Sequence, residues 1–174
     1  MTFRRWTKLL SPKQKYSVLM VCMGNICRSP VAEAVLRDKL KAAGLGDVVK
    51  VDSAGTHGFH QGARPDRRAQ EHAARRGYDL SEIRSRPVVA ADFGRFDLIL
   101  AMDTQNLDHM VERCPADARR KLGLLLEHGS SRPATREVPD PYYGGPDGFE
   151  HVLDLVEPAC DALVVQLAKS LRPA

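Results

Sequence analysis

Cysteine is scarce in this chain of 174 residues: Cys22, Cys27, Cys114 and Cys160 are the four, and no two of them form a C-x-x-C pair. Their spacing fits no zinc template, and so few in a chain this long do not make a disulfide framework. His57, His60, His72, His109, His128 and His151 show no metal-ligand spacing and read as surface or loop residues, so neither a metal nor a cofactor is expected. Aromatic residues make up only 6%, and none are interleaved with a basic stripe; the net charge of +4 therefore suits small anionic groups rather than nucleic acid. No run approaches the roughly 18 apolar residues of a membrane span. Met1 to Tyr16 is basic (Arg4, Arg5, Lys8, Lys13, Lys15) but has no apolar h-region, so a secretory signal is not expected and a cytoplasmic location is. Residues 1–16 read as an N-terminal extension and 17–174 as one domain, with no repeat, low-complexity tract or linker.

What is present is an alternation of apolar runs and helical patterns. Ser17 to Val21 reads as a buried strand and is followed by a loop, Cys22-Met23-Gly24-Asn25-Ile26-Cys27-Arg28-Ser29-Pro30. A helix then runs from Ser29 or Pro30 to Ala43, with Ser29 as N-cap and Pro30 at the first helical position, and Gly44 stops it. Val48 to Ala54 is a second strand, leading into the glycine-rich loop Gly55 to Gly62. Asp66 caps a helix through about Arg76, Tyr78 to Pro87 is irregular, and Ala90 to Gly94 makes a short helical turn. Phe96 to Met102 is a third strand, and Asp103 caps a helix to about Arg113. Lys121 to Glu127 reads as a fourth strand, though its leucines also permit a helix; a polar loop to Pro141 and a final amphipathic helix, Gly148 to Ser170, complete the chain. Strands alternating with helices predict an α/β fold, a parallel sheet with helices on both faces, and ligands beyond the strands' carboxyl ends.

The loop after the first strand carries recognisable chemistry. A cysteine thiol is mostly protonated at neutral pH, and a helix N-terminus and a nearby arginine both favour its thiolate. Arg28 and the helix that follows it can supply both to Cys22. Backbone N–H groups of Met23 through Arg28 can form an anion nest, and a guanidinium can hold two phosphate oxygens side by side. Gly24 lets the backbone bend or approach closely, and Asn25 tolerates a left-handed conformation. Ser29 Oγ can donate to the Cys22 sulfur. A thiolate in a phosphate cradle predicts attack on phosphorus through a cysteinyl-phosphate intermediate, and such a reaction needs a proton donor for the leaving group. Asp140, held between Pro139 and Pro141, is the candidate, and Tyr142 and Tyr143 beside it can wall a pocket for an aromatic ring.

At these two stretches the sequence resembles the low-molecular-weight protein-tyrosine phosphatases of bacterial type. The family loop C-x-x-G-N-x-C-R-S-P is matched at every fixed position from Cys22 to Pro30, and its D-P-Y-Y acid loop from Asp140 to Tyr143. Val51 to Thr56 (V-D-S-A-G-T) and Phe96 to Asp103 (F-D-x-I-L-x-M-D) match as well. The resemblance implies a three-layer sandwich around a four-stranded parallel sheet of order 2-1-3-4, and a metal-independent phosphatase acting on a tyrosine-phosphorylated protein, such as a bacterial tyrosine kinase, as a monomer or weak dimer. It casts Cys22 as nucleophile, Arg28 as phosphate clamp and transition-state stabiliser, and Asp140 as general acid and then base. It implies that Met23, Gly24, Asn25, Ile26, Cys27 and Ser29 line the phosphate loop, that Asn25, Ser29 and Ser53 brace it, and that Phe59, Tyr142 and Tyr143 flank the substrate ring. It further implies that Cys27 traps oxidised Cys22 as a reversible disulfide. Many members carry a histidine in the bracing network near Ile83; here an isoleucine stands there, which implies a network that is either thinner or closed by water. Thioredoxin-coupled arsenate reductases resemble the same fold and loop, but their relay needs two further cysteines after the third strand, and Ala101 and Asp103 to His109 supply none.

Overall fold

In the computed structural model, which describes residues 16–128 and 135–171, strand β1 (Tyr16–Cys22) lies at the centre of the molecule. Side chains along a strand alternate between its two faces, and both faces of β1 are covered. Val18, Met20 and Cys22 enter one core with Val31, Val35 and Leu36 of helix α1 (Arg28–Ala42) and with Val152, Leu153 and Val156 of α6 (Asp147–Leu171). Leu19 and Val21 enter a second core with Phe93 of α3 (Asp92–Arg95), Phe96 and Met110 of α4 (Thr104–Arg113). Hence β1 reads in sequence as an unbroken apolar run rather than an alternation. Each buried valine, leucine or phenylalanine contributes about 1.5–3 kcal/mol, so these two cores clamp β1 and fix where it ends.

Strand β2 (Val49–Gly55) pairs with β1 in parallel from Tyr16 opposite Val49 to Cys22 opposite Gly55. Strand β3 (Leu98–Ala101) pairs with the other edge of β1, and β4 (Leu122–Leu124) with β3, giving the expected order β2-β1-β3-β4 with every pair parallel. Helix α2 (Arg67–Arg75) starts where expected, with Asp66 Oδ1 accepting from the Arg68 N–H, and Asp103 Oδ1 caps α4 by accepting from Asn106 N–H.

Several local expectations are corrected. Helix α1 begins at Arg28, with Cys27 rather than Ser29 at the cap. The Ser29 hydroxyl is engaged with Cys22 and Asn25 instead of capping, and Pro30 falls third in the helix, where its missing N–H would still lack an intrahelical acceptor. The leucine run after Lys121 is strand for three residues only and then becomes α5 (Leu125–His128), because Leu125 and Leu126 turn into the core shared with α6. His72, expected at the surface, is 8% exposed, its Nδ1 2.6 Å from Glu150 Oε1. Of the extension expected over residues 1–16, only Tyr16 lies within the described residues, where it opens β1; residues 129–134 of the polar loop also lie outside them. Among the described residues, no helix is long and apolar enough to cross a membrane.

Candidate active site

The parallel register of β1 and β2 carries Cys22 and the loop after it to the carboxyl edge of the sheet, and backbone bonds continue past the strand ends. Thr56 N–H donates to the Cys22 carbonyl at 2.8 Å, and His57 N–H to the Met23 carbonyl at 3.0 Å. This approach requires glycine at position 55, where a Cβ would sit 2.6 Å from the Met23 oxygen. At Gly24 the demand comes from a side chain: a Cβ there would meet the His60 ring at 3.0 Å. Asn25 takes the left-handed conformation (φ 55°), as its residue type allowed.

The loop is braced from behind by a directional chain of hydrogen bonds. Arg86 N–H donates to Asn25 Oδ1 at 3.0 Å, which fixes the orientation of that amide. Both Asn25 Nδ2 hydrogens are then committed, one to Ser29 Oγ at 2.8 Å and one to Ser53 Oγ at 2.9 Å. Ser53 gives its own proton to Glu33 Oε2 at 2.5 Å. Ser29, already accepting from Asn25, can direct its proton to Cys22 Sγ at 3.0 Å, the Ala54 carbonyl at 3.4 Å being the weaker alternative. Asn25, Ser29 and Ser53 are all 1% exposed or less. An unpaired donor among them would cost about 1–3 kcal/mol, so this polar cluster specifies one loop conformation.

Near Ile83, where many relatives of this loop were expected to carry a histidine, the bracing comes from other groups. Ile83 packs in the hydrophobic core, and its neighbours brace the loop through Arg86 N–H and through Ser85 Oγ, which donates to the Gly24 carbonyl at 3.0 Å. Glu33, 4% exposed, closes the chain at its far end, with Arg37 as its ion-pair partner. Burial pushes the Glu33 carboxyl up, opposed by the Ser53 hydrogen bond and the Arg37 charge.

Arg28 is 2% exposed and enters the cradle from the first residue of α1. Its Nη1 donates to Asp103 Oδ2 at 2.5 Å and to the Val138 carbonyl at 3.2 Å, while Nη2 lies 3.5 Å from Asp140 Oδ2. Burial works against the guanidinium charge, but the facing Cys22 sulfur, Asp103 and Asp140 outweigh it, and Arg28 stays cationic. Asp140 in turn is held by the Tyr142 N–H, which donates to its Oδ1 at 3.0 Å.

These groups open on one cavity of about 270 Å³. Cys22, Met23, Gly24, Ile26, Cys27 and Arg28 form its floor, and Phe59, His60, Asp140, Tyr142 and Tyr143 its walls. Of the residues expected in the cradle, the acid loop and the aromatic wall, all but Asn25 and Ser29 line this cavity; those two lie with Ser53 behind the floor. Tyr142, 37% exposed, is the more enclosed of the tyrosine pair; Tyr143, 92% exposed, meets its edge at 4.8 Å between ring centroids. Asp103 as the Arg28 anchor, Glu33, Ser85, Arg86 and His60 went unread in the sequence. Only His60 carried a local signal, as the neighbour of Phe59.

Among known proteins, the family model described as low molecular weight phosphotyrosine protein phosphatase matches residues 17–172. A low molecular weight protein-tyrosine-phosphatase of Streptomyces coelicolor is 41% identical over 161 residues, covering 90% of this chain and 96% of that one. The human low molecular weight phosphotyrosine protein phosphatase is 39% identical over 154 residues, covering 85% of this chain and 93% of its own length. The crystal structure of a protein tyrosine phosphatase from Entamoeba histolytica with Hepes in the active site superposes with a TM-score of 0.85 at 42% identity, covering 90% of this chain and 99% of that one. With the cradle, the acid loop and the sheet order in agreement, the chain belongs to the low molecular weight phosphotyrosine protein phosphatase family.

Proposed function

We propose that this phosphotyrosine phosphatase works by double displacement at phosphorus, with Cys22 as nucleophile, Arg28 as phosphate clamp and Asp140 as proton carrier. The observation that supports this most is the convergence of Cys22, Arg28 and Asp140 on one cavity, with Arg28 and Asp140 paired at 3.5 Å across it. The Cys22 thiolate attacks phosphorus, the S–P bond forms and the P–O bond to the aryl group breaks. Asp140 in its acid form gives its proton to the departing phenoxide. Water then attacks the phosphocysteine, Asp140 takes a proton from that water, and the S–P bond breaks to release phosphate. Ser29 Oγ, 3.0 Å from Sγ, donates to the sulfur as it leaves. Because Asp103 and Val138 occupy the Nη1 side of Arg28, its Nε–Nη2 edge is the one offered to two phosphate oxygens. No step calls on a metal or cofactor.

Asp140→Ala tests the proton role. A positioned acid contributes about 10²–10⁴-fold, and most of that is needed by a poor leaving group. The expected result is a fall of about 10²-fold or more in kcat/KM for phenyl phosphate against less than about tenfold for a dinitrophenyl phosphate. Equal slowing across the series would remove the assignment.

The same reading gives Cys27 a redox role. Both Cys22 and Cys27 are buried free thiols at the cavity floor, and burial, followed by the nearby Asp66 carboxylate, pushes the Cys27 thiol up. Cys27 therefore waits as a neutral thiol while Cys22 reacts with peroxide to a sulfenic acid; condensation of the two forms a disulfide and releases water. Peroxide is expected to inactivate the enzyme reversibly, with a Cys22–Cys27 linkage in the peptide map. Full recovery by thiol without such a linkage would rule the pair out.

The proposed substrate is a tyrosine-phosphorylated protein, such as a bacterial tyrosine kinase, met in the cytoplasm by a monomer or weak dimer. Direct dephosphorylation of a purified autophosphorylated kinase tests that choice; activity confined to small aryl phosphates would overturn it.

A further inference from the structure

The acid loop has to be registered on the phosphate loop, because a carboxyl group displaced by an ångström loses much of its catalytic value. The two loops lie more than a hundred residues apart in sequence, and one side chain outside both of them touches what connects them. Arg68, in the first turn of α2, sends Nε to Asp66 Oδ1 at 3.1 Å and Nη2 to Asp66 Oδ2 at 3.0 Å, a side-by-side pair. Asp66 is tied to the phosphate loop by its own N–H, which donates to the Ile26 carbonyl at 2.7 Å. The same Arg68 Nη2 donates to the Tyr142 carbonyl at 3.2 Å. Its guanidinium carbon lies 5.7 Å from the Tyr142 ring centroid and 4.7 Å from that of Phe149 at the start of α6. The Tyr142 N–H, on the other side of the same residue, holds Asp140 Oδ1 at 3.0 Å.

We propose that Arg68 is a positioning residue for the proton transfer: it couples the acid loop to the phosphate loop through the path Ile26–Asp66–Arg68–Tyr142–Asp140. The inference rests on Asp140 being the proton donor. Arg68 is not among the residues that line the cavity; it sets where Tyr142, and through it the Asp140 carboxylate, stands above Cys22. Only a planar guanidinium can engage a carboxylate with two parallel N–H groups, reach a carbonyl and lie over two rings at once. A lysine keeps the charge and loses the fork.

The test is a series of aryl phosphates of graded leaving-group ability, with kcat/KM measured for the wild type, Arg68→Ala, Arg68→Lys, Asp140→Ala and the Arg68→Ala/Asp140→Ala pair. Arg68→Ala is expected to lower kcat/KM by about tenfold or more for phenyl phosphate and by about threefold or less for a dinitrophenyl phosphate. The dependence on leaving group steepens as a result. Arg68→Lys falls between wild type and Arg68→Ala, and guards against misfolding of the alanine variant. In the Asp140→Ala background Arg68→Ala adds no further steepening, because the group it positions is gone. A uniform loss across the series, or additive effects of the two substitutions, would show that Arg68 serves only binding or stability and overturn the proposal. If Asp140→Ala itself leaves the dependence unchanged, the proton-donor assignment fails instead, so the two failures are distinct.

Discussion

Cys22→Ser is expected to lower kcat/KM for p-nitrophenyl phosphate by on the order of 10⁴-fold or more, the scale on which removal of a covalent nucleophile is felt. The substitution exchanges one atom at the floor of the cavity, on a side chain only 2% exposed. A serine hydroxyl can still meet Ser29 Oγ, so the bracing chain through Asn25, Ser53 and Glu33 stays whole. The loss is chemical: an alcohol at neutral pH presents almost none of the anion that attacks phosphorus, and the group bonded at this position among the described residues, the Ser29 hydroxyl, is not a base that could generate it. The fold should be untouched, with thermal stability changed by about 1 kcal/mol or less, and inorganic phosphate should still bind, since Arg28 and the loop backbone remain. Steady-state kinetics alongside a melting curve and a phosphate titration check all three. Turnover within tenfold of wild type would mean that another group attacks phosphorus.

Arg28→Lys is expected to lower kcat/KM by about 10²–10³-fold, the range associated with loss of a preorganised group facing transition-state charge. Charge alone is conserved by this change, so the prediction isolates geometry. Arg28 uses Nη1 for Asp103 and Val138, which leaves the Nε–Nη2 edge as the one proposed to hold phosphate; an ammonium group cannot anchor at one end and fork at the other. Asp103, 19% exposed at its side chain, would keep a cation nearby, so the fold should survive. The loss should fall mainly in kcat, because the fork fits the spread equatorial oxygens of the transition state better than the ground-state phosphate. A lysine variant within threefold of wild type would show that a positive point charge is all the site requires.

Much of this site is legible in the sequence. The unbroken run Val18 to Val21 marked a strand buried on both faces, and the switch to a helical pattern after Pro30 put Cys22 at its carboxyl end. Asn25 and the Asp66 and Asp103 caps were read from residue type alone, because their roles are settled by their own backbone neighbourhood. What escaped reading was tertiary. Glu33 falls within an amphipathic helix and pairs with Arg37 four residues on, which in sequence describes a solvated face; only the packing of β2 against α1 buries it under Ser53. Asp103 announced itself as a helix cap, and one of its oxygens does cap, but the other anchors Arg28 from 75 residues away. The leucine run after Lys121 has no period that separates strand from helix, and it proved to contain both because the partner strand β3 is short. At Ile83 the sequence shows which side chain is missing but not which groups stand in its region: the Arg86 N–H and the Ser85 hydroxyl bond the loop there.

The central claim is the covalent bond between sulfur and phosphorus. Acid quenching of the enzyme during turnover of an aryl phosphate, followed by peptide mapping, tests it most directly, with Asp140→Ala used to slow hydrolysis of the intermediate. The account predicts one phosphoryl group per enzyme, on the peptide that contains Cys22, absent from Cys22→Ser. Phosphate on any other residue, or steady turnover with no labelled peptide at any quench time, would contradict it.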